Sequence, residues 1–302
     1  MKDLIRFSIT LWFALFLGPA RAADLQVFAC EPEWAALTQE LAGTHTQITT
    51  ATTARQDPHH IQARPSLIAR LRQADLAVCT GAGLEVGWLP MLQRQSGNAQ
   101  VQTGRPGLFE AAMQVTRLEV PESVDRTQGD VHPEGNPHVQ TDPRRIARIA
   151  VALSARLKQL DPAHGNDYDA RLADFSRRWS TAILRWEEEA RPLRGQRVVV
   201  HHKSWVYLFD WLGLQEAGQL ETKPGVPPSA GHLAELKAEL SARPALMVIR
   251  AAYQDARADE WLARETGIPA VELPFTVGGS EAAKDLFGLF DDTLSRLLQV
   301  PQ

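Results

Sequence analysis

The sequence predicts an α/β protein of two lobes, each with a mostly parallel sheet flanked by helices, joined by helical material. Three observations carry this. Short apolar runs alternate with helical patterns of ten or so residues in the first half, which is the signature of βαβ units. The same alternation restarts near residue 196, and between the halves lies one uninterrupted helical stripe.

In the first half, "LQVFAC" reads as a strand, "PEWAALTQELAG" as a helix ending at Gly43, and "TQITTAT" as a second strand. "RPSLIARLRQA" follows as a helix and "DLAVCTGAG" as a third strand. "TDPRRIARIAVALSARLKQL" begins a helix with Asp142 as cap and Pro143 at the first helical position. From Asn166 to Ala190, the residues Tyr168, Leu172, Phe175, Trp179, Ile183 and Trp186 fall at helical steps and form one apolar stripe. A long helix packed on its own protein explains that stripe better than a partner-binding face, and Pro192 and Gly195 end it. The second half reads as strand "QRVVVHH", helix "SWVYLFDWLG", helix "AGHLAELKAELSA", strand "ALMVIRAA", helix "DEWLARETG", strand "IPAVELPF" and closing helix "EAAKDLFGLFDDTLSRLLQ". The expected organisation is therefore 1–22 as a leader, 23–140 and 195–302 as lobes, and 141–194 as the helical connection. Open parallel sheets bind ligands beyond the carboxyl ends of their strands, so two such lobes imply a site in the crevice between them.

The leader assignment rests on Lys2 and Arg6, the apolar run "FSITLWFALFLG", and Ala20 and Ala22 at the small-residue positions of a signal-peptidase site. Cleavage is expected after Ala22, placing the mature chain in the periplasm. Removing Met1 to Ala22 takes away Lys2, Arg6 and Arg21 against Asp3, so the net charge of −4 becomes −6. That balance argues against nucleic acid as a partner. A chain of this size is one large domain or two ordinary ones, and a monomer is expected.

The two cysteines, Cys30 and Cys79, each close an apolar strand. On neighbouring parallel strands they would lie at one sheet edge, within bridging reach in an oxidising compartment. Two buried free thiols is the alternative, and a thiolate metal site is disfavoured by the spacing.

The chain has nine histidines, and six of them (59, 60, 132, 138, 201 and 202) fall in three loops or strand ends. "QDPHHIQARPS" carries His59 and His60, "GDVHPEGNPHVQTDP" carries His132 and His138, and "VVVHHKSW" carries His201 and His202. Neutral imidazole is the preferred nitrogen ligand of zinc and other late divalent metals. A lone histidine is usually structural, but three clusters at strand ends point to a metal.

The stretch "DPHHIQARPSLIARLRQADLAVCTGAGLEVGWLP" resembles the first metal-binding segment of the zinc- and manganese-specific solute-binding proteins of ABC importers. "GNPHVQTDPRRIARIA" is similar to the second segment and "HHKSWVYLFDWLGL" to the third. The resemblance implies His59, His138 and His202 as ligands, with His202 rather than His201 selected by counting back from Gly213-Leu214. It also implies a rigid linking helix, a metal site in the cleft, no enzymatic activity, and delivery to a membrane permease. Histidine at the third position goes with zinc and glutamate with manganese in such proteins, so Zn2+ is expected over Mn2+. The chemistry agrees, because manganese favours carboxylate oxygen.

One departure stands out. Where the family usually has an aspartate before a proline, "VELPF" has Leu273, and the adjacent Glu272 should point to the opposite side of its strand. A bound water or His60 is the expected completion, with His132 and Asp255 the other candidates. Two other readings follow from the missing ligand: a metal site altered or lost, or an exported zinc hydrolase using a three-histidine zinc. The hydrolase reading lacks a motif such as HExxH, and Glu85 and Asp255 are more simply structural or surface groups. "TVGGSEAAKDL" could hold an anion at a helix start but reads more simply as a tight turn. Trp88 and Trp205 flank the cleft segments and either wall the cleft or pack in the core.

Overall fold

The structure is a computed structural model that describes residues 24–122, 129 and 132–301. The expected leader lies outside the described residues. The first half builds a four-stranded sheet from β1 (Leu25–Ala29), β2 (Thr46–Thr50), β3 (Leu76–Cys79) and β4 (Leu108–Glu110), in the order β2-β1-β3-β4. The second builds β5 (Arg197–Val200), β6 (Gln215–Gln219), β7 (Met247–Ala251) and β8 (Ala270–Leu273), in the order β6-β5-β7-β8. All pairings are parallel, and the two sheets share one topology although the sequence carries no detectable repeat.

The central strands "FA", "LAVC", "VVV" and "MVI" are buried on both faces, as parallel sheets covered by helices require. In the first half the covering helices are α1 (Pro32–Ala42), α2 (Pro65–Gln73) and α3 (Leu89–Ser96). In the second they are α6 (Val206–Leu212), α7 (Ala230–Ala242), α8 (Arg257–Thr266) and α9 (Leu286–Leu298). Between them run α4 (Pro143–Leu160) and α5 (Gly165–Glu189). The Asp142 carboxylate caps α4 by accepting the Arg144 N–H at 2.8 Å. No helix among the described residues is long and apolar enough to cross a membrane.

The stripe on α5 faces inward: Tyr168, Phe175, Trp179 and Trp186 are fully buried. Trp179 meets Phe287 of α9 with ring centroids 4.8 Å apart, and Trp186 meets Phe290 at 5.1 Å. Its indole N–H groups are satisfied by Pro143 O at 2.8 Å and by Asp291 at 2.6 Å respectively. This helix therefore packs on α1 of the first half, on its neighbour α4 and on α9 at the chain's end, tying both halves to one strut.

Four elements differ from expectation. The edge strand β6, "QEAGQ", has no apolar run because an edge strand is half in solvent, and its Gly218 lies where a Cβ would stand 2.6 Å from Leu236 Cδ1. The short strand β4 and helix α3 also carry too few periodic residues to be read in advance. The closing helix starts at Leu286, not at Glu281, because the Asp285 carboxylate accepts the Gly288 N–H at 2.8 Å and so caps it there. "TVGGSEAAK" is accordingly turn, as expected.

Candidate metal centre

His59 sits in the loop after β2, His138 in the loop before α4, and His202 two residues beyond the end of β5. The first two are oriented by one device, an Asx-Pro-His tripeptide. Asp57 Oδ1 accepts the His59 backbone N–H at 3.0 Å and its Nδ1–H at 2.7 Å. Asn136 Oδ1 accepts the His138 backbone N–H at 3.1 Å and its Nδ1–H at 2.8 Å. The short polar side chain reaches forward two residues while proline restricts the backbone between. Burial alone would raise the Asp57 carboxyl, but the hydrogen bond and charge of His59 outweigh it and hold it below its ordinary value.

Both loops are anchored in turn. The Trp88 indole donates to Pro58 O at 2.8 Å, and a Cβ at Gly87 would crowd His59 O at 3.0 Å. Asn136 Nδ2 donates to Lys203 O at 2.8 Å, and the Tyr207 hydroxyl donates to Asn136 O while accepting the Leu118 N–H at 3.0 Å. The His138 loop is thus held by residues around the start of α6. Trp88 and Trp205 are both buried in the core rather than lining the cleft.

His202 is oriented by Glu221, whose Oε2 accepts its Nδ1–H at 2.7 Å and the Gly225 N–H at 2.8 Å. The neighbouring His201 turns the other way, its Nδ1 on Asp259 at 2.8 Å and its Nε2 3.8 Å from Glu221. Of the adjacent pair, His202 joins the cluster and His201 does not.

The result is a convergence of imidazoles. His59, His138 and His202 each offer a ligand nitrogen, all within 4.8 Å of one another. Their ring centroids stand 5.4, 5.6 and 5.8 Å apart. His132 approaches the same group, with centroids 5.4 Å from His59 and 6.0 Å from His138. The Nε2 atoms of His59, His132 and His138 are buried without a hydrogen-bond partner. A buried polar nitrogen without a partner is costly, and three aimed into one place are the electronic complement of a cation. His138 is driven well below its ordinary pKa by burial and then by His59 and His202. His132 is pushed down to about 3 by burial, with the same two neighbours adding to it. Both rings are therefore neutral near pH 7, with a lone pair to give. His202 also lines two cavities, of about 500 and 640 Å3, on either side of the cluster.

The remaining candidates stand elsewhere. Leu273 is fully buried in the apolar core, while Glu272 turns to Arg250 at 2.8 Å and Arg55 at 3.1 Å. Asp255 is exposed and paired with Arg257 at 2.7 Å. His60 is exposed, its ring 6.2 Å from that of His59. Cys30, immediately after β1, and Cys79, at the end of the adjacent β3, are joined in a disulfide with Cα atoms 4.8 Å apart. Glu85 accepts the N–H groups of Thr80 at 2.6 Å and Gly81 at 3.0 Å, a structural role. With Glu31 and Glu33 it forms a buried acidic group beside the disulfide.

Sequence reasoning missed Asp57, Asn136, Glu221 and Tyr207. The repeated Asx-Pro-His pattern was visible for the first two. Glu221 had no signal, since it follows the unread strand β6.

Residues 27–300 match the family described as "ZnuA: Zinc-uptake complex component A periplasmic". The high-affinity zinc uptake system protein ZnuA of Yersinia pestis is 24% identical over 63% of this chain and 64% of its own length. The protein of the same description from Paracoccus denitrificans is 24% identical over 78% and 79%. The zinc-binding lipoprotein AdcA of Streptococcus pneumoniae is 23% identical over 66% of this chain but only 39% of its own. A solved ZnuA structure superposes with a TM-score of 0.75 at 23% identity, over 90% of this chain and 97% of that one. A manganese-bound periplasmic metal-binding protein from Candidatus Liberibacter asiaticus gives 0.74 at 16%, over 91% and 98%. With all but the ends of the described chain matched, the protein belongs to the ZnuA family of zinc-uptake periplasmic components, whose members are solute-binding proteins and not enzymes.

Proposed function

We propose that this chain captures zinc in the periplasm between its two halves and delivers it to the transmembrane permease of an ABC importer, acting as a monomer after removal of a leader at Ala22. His59, His138 and His202 are the ligands in this reading, with 23–140 and 195–302 as the lobes and 141–194 as their connection. The observation that carries it is the trio of converging imidazoles, each with Nδ1 already engaged by Asp57, Asn136 or Glu221. Such outer partners fix the tautomer that leaves Nε2 free for a metal and raise its basicity. Three nitrogens and no carboxylate at the centre favour zinc over manganese. The zinc descriptions of the Yersinia and Paracoccus relatives support the same cargo.

A second reading has a specific observation behind it. Leu273, fully buried, stands where the family usually places a carboxylate, and this is the ground for reading the site as altered or lost as a metal carrier. Zinc titration into chelator-stripped protein separates the two, run beside a His59→Ala/His138→Ala/His202→Ala variant with bound metal counted. One tightly held zinc in the wild type and none in the variant supports capture. No tight zinc in the wild type sinks it in favour of the lost site.

A further inference from the structure

We propose that His132 is the fourth ligand, so that this chain replaces the carboxylate missing at Leu273 with an imidazole from the opposite half of the molecule. The inference rests on the zinc-binding reading above and goes beyond it by completing the coordination sphere. Three observations carry it. The His132 Nε2 is buried and has no hydrogen-bond partner, as are those of His59 and His138. Its other nitrogen is occupied, because Nδ1 faces the backbone of Gly83 and bonds to it. Gly83 has φ +84, a backbone conformation that favours glycine, so glycine permits the turn against which the His132 ring rests. The ring spacing also fits: four imidazoles arranged tetrahedrally at zinc–nitrogen distances of ~2.0–2.1 Å have centroids roughly 5 Å apart. The His132 ring lies 5.4 Å from His59 and 6.0 Å from His138, close to the 5.4–5.8 Å within the trio.

The other possible completions are poorer. Asp255 is exposed and held by Arg257, and Leu273 and Glu272 are committed to the core and to arginines. His60 is exposed, whereas the His132 nitrogen is buried against the cluster. His132 stands slightly outside the trio whose nitrogens lie within 4.8 Å of one another, so its approach closes the sphere last. Three ligands then come from the first half and one, His202, from the second. A centre of four nitrogens with no oxygen discriminates against manganese more sharply than one completed by aspartate.

The test uses cobalt(II) as the probe on the full mature chain, because the position and intensity of its visible bands report both the donor atoms around it and their number. The wild type should show the intense tetrahedral bands. His132→Ala should still bind cobalt through the other three histidines, with the bands shifted and lowered as water takes the vacated position. Its zinc affinity should fall by at least about tenfold, since removing even outer partners of ligands costs that much. His60→Ala should leave both unchanged. As a direct reading of contact, His132→Cys should add a sulfur-to-cobalt charge-transfer band in the near ultraviolet, which a merely structural residue would not produce. Unchanged bands in His132→Ala, or no charge-transfer band in His132→Cys, with metal still bound, overturn the fourth ligand alone. Weakening in His60→Ala instead overturns it in favour of that residue. A wild type that binds neither cobalt nor zinc overturns the capture reading and this inference with it.

Discussion

Asn136 holds His138 by two hydrogen bonds to a single oxygen, from the backbone N–H at 3.1 Å and from the ring Nδ1–H at 2.8 Å. Its amide nitrogen donates to Lys203 O, so the orientation of the amide is set by the start of the second half. The ring is therefore aimed by a residue that reports the position of both halves at once. Asp57 repeats the device on His59 with a full negative charge in place of the amide.

That charge difference makes the pair separable. Asp57→Asn keeps an acceptor and should retain most zinc affinity, whereas Asp57→Ala and Asn136→Ala should each lose about ten- to a hundredfold. Competition titration against a chelator of known zinc affinity measures this. Equal affinity in Asp57→Ala and wild type would contradict the orienting role.

Restoring the family's carboxylate should not be benign. Leu273 is fully buried against the core, so Leu273→Asp removes apolar contacts and places a charge among apolar neighbours. The metal-free protein should lose about 2–5 kcal/mol of stability, the range for gutting a buried leucine, read by chemical denaturation. An unchanged denaturation midpoint would mean that the position opens to solvent more easily than its burial suggests.

The disulfide closes a loop with a sequence separation of 49 residues between two central strands. Its removal by Cys30→Ser/Cys79→Ser should cost about 2–4 kcal/mol, from the entropy returned to the unfolded chain. Melting of the variant beside the wild type checks it, and no downward shift of the midpoint would refute it.

Beside that disulfide, burial first and then the charges of Glu85 and Glu33 raise the Glu31 carboxyl well above its ordinary value. Burial lifts Glu33 and Glu85 to about 7 despite the hydrogen bonds each accepts. Folded pKa values above the unfolded ones mean that the folded state binds more protons. Their contribution to stability is complete below about pH 4.5 and is lost as pH rises through about 7. Glu31→Gln mimics the protonated form, so its melting temperature relative to wild type should climb between pH 5 and pH 8. A constant difference across that range would mean that Glu31 is already ionised at pH 5.

The sequence by itself determined the two parallel sheets, the long α5 strut and the positions of the histidines. Each rests on local regularities: buried strands read as continuous apolar runs, and the α5 stripe repeats at helical period. The pairing of Cys30 with Cys79 was legible for a related reason, since both end central strands. Tertiary structure alone decided what sits around the imidazoles. Glu221 follows β6, an edge strand without a hydrophobic signature, yet it selects His202 over His201 by taking its Nδ1–H. His132 and His60 look alike in sequence, each a loop histidine near another. Only the packing of the His132 loop against Gly83 buries one nitrogen beside the cluster, while His60 stays exposed. Periodicity records which face of an element is buried. It carries no information about which loop side chains, dozens of residues apart, lose their water to the same point in space.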